Sequence, residues 1–409
     1  MPEKIREFRY RASATLSTTH TNAASATWAV TDAIKLGVTK CDLSKLKHDG
    51  IESAVLQTRM HGAPAAKPGL KNSPITIGGY LGKGSTSNTA PAEATLLSYF
   101  FGGLSSPVDK SETCGNSCTT DEIYCTGHSA RAGACVLVGA RGDGRGNGEV
   151  RRVKSVTNVD HFVLEMGLSG APSNTDAIVH SHTVYLNPSA TQQYIDWLAI
   201  GYHTEDQVQG IGAMGPVKIA GLGVGEIPQY EIDLNTADWQ QVPSANRDQL
   251  ESGVSPVGDA APANKALGGF FFGDSASNTR TVVQSGNFNI DPGLTFEAVP
   301  DRNGVNGIGG WKKTGGKPKF DFDVLINHDN PGLFDDFEAG TAKQFLAQFG
   351  HSANDCVAIT IPNALLDAAP VRTSINGLAA MKISGHGQEP TVANVADNVY
   401  SSSIAVHWF

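Results

Sequence analysis

The chain has 409 residues, a formal net charge of -9 and only 17% charged residues. That acidic balance excludes the broad basic face on which ordinary DNA or RNA binding depends. Hydrophobic residues at 40% are enough for a real core, while six cysteines are too few for a disulfide scaffold.

The N-terminal stretch MPEKIREFRYRAS carries charges with no apolar run behind them, so it does not read as a signal peptide. No run approaches membrane-spanning length, CVLVGA being a typical apolar block, and the expectation is a soluble protein assembled in the cytosol. Beyond the N-terminus the chain runs as short alternating segments with frequent glycine, the pattern of antiparallel β structure. In chain order the predicted strands are EFRYRASATLS, ESAVLQTRM, ITIGGYL, CVLVGA, EVRRVKSV, HFVLEMGL, AIVHSHTVYL, VKIAGL and QYEIDL. GGFFFG, RTVVQSGNFNI, KFDFDVLI, CVAITI, AAMKIS and SSIAVHWF complete the series. Two helices are predicted: TAPAEATLLSYFFGG, with Thr89 as cap, Pro91 in the first turn and Gly102 as stop, and FEAGTAKQFLAQFGH, stopped by Gly350.

The two helices suggest an internal repeat. PGLKNSPITIGGYLGKG leads to the first helix and then GACVLVG; GGKPKFDFDVLINHD leads to a helix over Thr341–Phe349 and then NDCVAITIP. The alignment sets Ile75 and Ile77 against Phe320 and Phe322, Thr76 and Gly78 against Asp321 and Asp323, and Cys135 against Cys356. The polar, Pro-rich stretch Gln241–Lys265 fits a boundary. The expected division is residues 1–245, with a cysteine-containing insertion near 105–130, and residues 246–409.

Several segments raise chemical readings. Asp321-Phe322-Asp323-Val324-Leu325 matches the D-x-D-V-L pattern of haloacid-dehalogenase-type phosphatases, in which two carboxylates and a magnesium ion act on phosphate. That chemistry requires the end of a buried parallel strand, whereas TGGKPK precedes the motif here, so a half-wet strand is the favoured reading. Cys114, Cys118, Cys125 and His128 are candidate ligands for a zinc loop, set against free thiols in a surface insertion. The glycines at 142, 144, 146 and 148 precede a strand-like EVRRV, which favours a hairpin tip over a dinucleotide site; Arg141-Gly142-Asp143 within them is assigned no function. His180 and His182 read as surface or interface histidines, as do the scattered His61, His203 and His351, and no Gly-x-Ser-x-Gly elbow occurs. The expectation is no catalytic residue and no cofactor.

The order of features resembles the tail tube proteins of long-tailed bacteriophages. The resemblance rests on the Pro/Gly loop MHGAPAAKPGLKNS before a strand, the helix APAEATLLSYFFGG, and GIGAMGPVKIAGLGVGEIPQYEIDLNTADWQ. IPNALLDAAPVRTSINGLAAMKISGHG and the closing SSSIAVHWF carry it into the second half. The cysteine insertion and the length depart from the single-domain pattern. The resemblance implies mainly β, antiparallel sandwich or barrel domains with one packing helix each, and six-membered rings, or three-membered rings for a tandem form. It implies a virion protein whose partners are its own copies and the tail terminator, tape measure and baseplate proteins, with DNA passing through the bore unbound and no membrane involved. Asp321 and Asp323 are then lumen-facing carboxylates that repel phosphate, contributed mainly by the second half. A baseplate-proximal ring is the nearest alternative; a metal-dependent hydrolase using Asp321 and Asp323, and a glycan-binding sandwich, are the others.

Overall fold

Strands that are dry on one face and wet on the other dictate a layered architecture, because each apolar face must find a cover. The computed structural model describes residues 5, 7–17, 33–44, 46, 50–51, 67–68, 74–82, 88–109, 111–139, 148–187, 190–201, 207–221, 227–242, 267–273, 289–325, 332–351, 356–375, 377–390 and 399–409. The protein is mainly β, with antiparallel sheets that include a half-barrel and two short helices among the described residues. Neither helix is long and apolar enough to cross a membrane.

One sheet runs through both halves of the chain. Its order begins Lys40–Asp42, Pro74–Tyr80, Gln229–Asn235, Val217–Ala220, and continues with Asn289–Asp291, Lys319–Leu325 and Leu378–Gln388. Val371–Ile375 pairs with the first part of Leu378–Gln388 and forms an edge there. Numbered by their order in the chain, the four strands of the first half lie as first, second, fourth, third. Those of the second half lie in the same order, and all the pairings are antiparallel. The two units meet where Ile219 stands opposite Ile290, both buried.

The covering layer repeats as well. In the first half Glu7–Ser13 pairs with Tyr194–Ile200, which pairs with Gln207–Ala213, which pairs with Asp238–Gln241. In the second, Leu267–Gly273, Lys343–Phe349, Val357–Leu366 and Ala405–Trp408 are joined in that same sequence. A single stretch of chain feeds each cover into its unit of the long sheet. Gln207–Ala213 passes through Met214 into Val217–Ala220, and Val357–Leu366 continues, after 367–370, into Val371–Ile375. Between the layers lies one large core containing Ile75, Ile77, Trp197, Tyr230, Phe320, Phe322 and Phe345.

Helix α1 (Ala92–Phe101) plugs the first unit, burying Leu96, Leu97, Phe100 and Phe101, and ends on Gly102 at φ 95°. Its N-cap position is Pro91 without a side-chain cap, so Thr89 is not the cap expected from sequence. The second helix also differs. Helix α2 covers Leu333–Ala339 and stops at Gly340 (φ 62°), while Lys343–Phe349 is a strand. Every residue of that strand is buried, so the one-sided alternation that marks a strand is missing and its apolar residues mimic a helical stripe.

The insertion is larger than expected and is a folded layer of its own. After α1, Gly102–Ser105 pairs with His182–Leu186, which pairs in turn with Ala405–Trp408. Between them lies a six-stranded sheet in the order Ser111–Thr113, Ala177–His180, Cys135–Val138, Glu149–Asn158, His161–Leu164, Glu122–Tyr124. Cys135 therefore belongs to the insertion and is not the counterpart of Cys356; Gln207–Ala213 holds the place equivalent to Val357–Leu366. Leu137, Val150 and Val179 pack on Phe271, Leu346, Ala358 and Phe409 of the second half's cover. The expected boundary lies mostly outside the described residues, as do ESAVLQTRM and the glycines 142, 144 and 146.

The His182–Leu186 strand and the second cover are joined by a buried polar relay. His407 Nδ1 lies 3.0 Å from Thr183 Oγ1, and its Nε2 lies 2.9 Å from Thr360 Oγ1. Burial, reinforced by the Arg152 charge, lowers the imidazole from 6.5 to about 3. The folded state thus binds fewer protons than the unfolded one below pH 6.5. The stability this group contributes is complete above that pH and lost as pH falls toward 3. His407→Gln is expected to flatten the fall in melting temperature between pH 6.5 and 3; parallel pH profiles for the variant and the parent would refute the assignment.

Candidate functional site

The face of the long sheet turned away from the core is the most chemically distinctive surface of the molecule. Period-2 geometry builds it. Phe320 and Phe322 point into the core at 2% and 0% exposure, so Asp321 and Asp323 stand on the opposite face. By the same parity Ile77, Ile232 and Ile383 are buried, placing Thr76, Glu231, Asp233, Lys382 and Ser384 on the polar side. The register brings Asn289 and Ser384 beside Asp321, and Asp291 and His386 beside Lys319.

Charges of both signs alternate across this face. Lys40 Nζ is 2.9 Å from Glu231 Oε2, Lys218 Nζ is 3.7 Å from Asp233 Oδ2, and Lys382 Nζ is 3.1 Å from Asp321 Oδ2. Thr76 donates to Asp233 Oδ1 at 2.7 Å. Such half-exposed ion pairs add little stability; their effect is on the field that the face presents. The first unit supplies Asp42, Glu231 and Asp233 and the second Asp291, Asp321 and Asp323. The expectation that acidic groups come mainly from the second half is therefore corrected. It rested on comparing Pro74–Tyr80 alone, whereas the carboxylates of the first unit sit mainly on the neighbouring Gln229–Asn235 strand.

Asp321 and Asp323 do not have the surroundings of a phosphatase nucleophile and acid. They lie within a strand flanked by antiparallel partners, not at the end of a parallel one. The Asp323 carboxyl is raised above its ordinary value by burial and by the Asp321 charge, against the opposing pull of Lys382.

The cysteine loop packs inward. Cys114 and Cys125 join Ile123, Phe162 and Val136 in the core of the insertion. Cys118 Sγ accepts the Tyr124 amide at 3.3 Å, and Cys125 Sγ donates to Glu112 Oε2 at 3.0 Å. His128 packs edge-on against Phe162, with ring centroids 4.9 Å apart. Among the described residues no group of three or more His, Cys, Asp or Glu is arranged to hold a metal ion. Burial raises the thiols of Cys114 and Cys125, the first further through Cys118 and the second through Glu112.

His180 and His182 are not surface groups either. The strand breaks between them, both are buried, and His180 Nε2 meets Glu112 Oε2 at 3.0 Å. Burial alone pushes the Glu112 carboxyl up, but bonds from His180, Cys125 and the Ser129 amide outweigh it and hold the group low. His351 is half-buried; His61 and His203 lie outside the described residues. A cavity of about 190 Å³ beside this cluster is lined by Ser105, Ser129, Arg131 and His180, and Arg131 is already bonded to Ser105 at 3.1 Å.

No protein-family model matches this sequence, and no curated protein matches it.

The parity of the two faces has a direct mutational signature. Phe322→Ala is expected to cost about 3–5 kcal/mol of unfolding free energy. Asp321→Ala, which removes one half-exposed ion pair, should change it by less than about 1 kcal/mol. Chemical denaturation measures both, and equal costs would contradict the assigned faces.

Proposed function

We propose that this chain is a structural virion protein whose copies form rings that stack into a phage tail tube, a channel for DNA. In this reading residues 1–245 and 246–409 are two tube-like units in tandem, and three chains make a ring of six units. One observation carries the proposal: the same four-strand unit occurs twice, side by side in a single sheet, with one face on a covering layer and the other polar. A sheet with that repeat and a half-barrel curvature is suited to continue into the next copy, which removes the hazard of free edges.

The polar face supports the same reading through its charge. The paired strands that build it carry six carboxylates (Asp42, Glu231, Asp233, Asp291, Asp321, Asp323) against four lysines (Lys40, Lys218, Lys319, Lys382) among the described residues. Three of the lysines are tied to carboxylates. A bore lined this way offers phosphate no run of free cations, so DNA can move along it without a strong hold. Screening over about 8 Å at physiological salt confines the effect to DNA close to the wall. The partners of this reading are further copies of the chain, with terminator, tape measure and baseplate proteins at the ends, and the location is the virion tail.

Negative-stain electron microscopy of the purified protein left to self-associate tests the proposal. Hollow filaments are expected; single rings that never stack would favour a baseplate-proximal component, and a persistent monomer would overturn both. The electrostatic role has its own test. Joint replacement Asp321→Lys and Asp323→Lys is expected to leave tubes of normal length while lowering infectivity, and undiminished infectivity would remove that role.

A further inference from the structure

The seam inside the chain is a template for a contact between chains. Val217–Ala220 is the third strand of the first unit in chain order and lies at its edge; Asn289–Asp291 is the first strand of the second unit and lies at its opposite edge. They join antiparallel at Ile219 and Ile290. The equivalent third strand of the second unit is Val371–Ile375, and the equivalent first strand of the first unit is Lys40–Asp42. Each pairs on one side, with Leu378–Gln388 and with Pro74–Tyr80, and among the described residues neither has a strand on its other side.

We propose that Val371–Ile375 of one copy pairs antiparallel with Lys40–Asp42 of the next, so that the contact between chains repeats the Ile219–Ile290 seam. This rests on the ring reading above and names the surfaces that close the ring. The contact is heterologous, two different patches meeting, and such contacts generate rings or open helices instead of isolated dimers. On the free strand itself Val371 is 62% accessible.

The internal seam also shows what else the contact brings. From the second unit, the hairpin Leu294–Val305 and Ile308–Gly315 reaches over the first. Phe296 packs edge-on against Phe100 with centroids 6.2 Å apart, Lys313 Nζ donates to the Phe101 carbonyl at 3.0 Å, and Trp311 Nε1 donates to the Gly212 carbonyl at 2.7 Å. On the second unit, α2 leaves Phe334 41% exposed.

Side-chain parity supplies the test. Lys40 stands on the polar face, opposite Gly78; Val371 and Thr373 share that face, opposite Lys382 and Ala380. Opposed residues of an antiparallel pair lie about 4.5–5.5 Å apart at Cα, within disulfide range. Two double variants of the full chain, Lys40→Cys with Val371→Cys and Lys40→Cys with Thr373→Cys, are assembled, oxidised and run on non-reducing gels beside the single variants. At least one double variant is expected to give covalent multimers ending at three chains, absent from every single variant. Tubes that form with no double-specific product would overturn the seam and leave the ring reading standing. Absence of rings and tubes from the parent protein would overturn both.

Discussion

In the long sheet the two halves of the chain join at one strand contact, Ile219 with Ile290, and the pairing of His182–Leu186 with Ala405–Trp408 ties them again beside the insertion. Within each half, four antiparallel strands and a covering layer enclose apolar side chains, and each unit has two edges. Pairing one edge of each makes the long sheet continuous and merges the two apolar interiors into a single core. The continuous charged face and the two remaining edges depend on the first join, and the position of the insertion on the second.

A second constraint is the passage of one strand between layers. Gln207–Ala213 belongs to the cover and Val217–Ala220 to the long sheet, with Gly215 pressed against Asp233, where a Cβ would fall 1.7 Å from the Asp233 carbonyl oxygen. Only glycine allows the chain to turn from one layer into the other at that approach. The turn fixes the separation and relative slide of the layers, and with them the parity that sends Ile219 inward and Lys218 outward.

Much of this was legible in the sequence wherever a strand has one dry and one wet face. KPKFDFD displays Phe320 and Phe322 against Asp321 and Asp323, and QYEIDL displays Tyr230, Ile232 and Leu234 against Glu231 and Asp233. That second alternation was sufficient to place acidic groups on the first unit as well. Legibility failed where both faces are buried. In Lys343–Phe349, Phe345 and Phe349 meet the main core while Leu346 meets the insertion, so no period of two survives. It failed again where a folded segment interrupts the repeat, because the order of motifs set Cys135 against Cys356 although an entire sheet intervenes. The inward packing of Cys114 and Cys125 likewise leaves no mark on their spacing.

The insertion leaves the first unit after α1 yet settles on the cover of the second, held by Gln348, which bonds both the Val150 amide and the Gly148 carbonyl at 2.9 Å. The two units are thus near twins toward the charged face and unlike toward the outside. In the ring proposed above, the bore would repeat twice per chain, while the exterior would repeat once. A protein that grips the outside counts chains; whatever travels along the inside meets twice as many, nearly equivalent, steps.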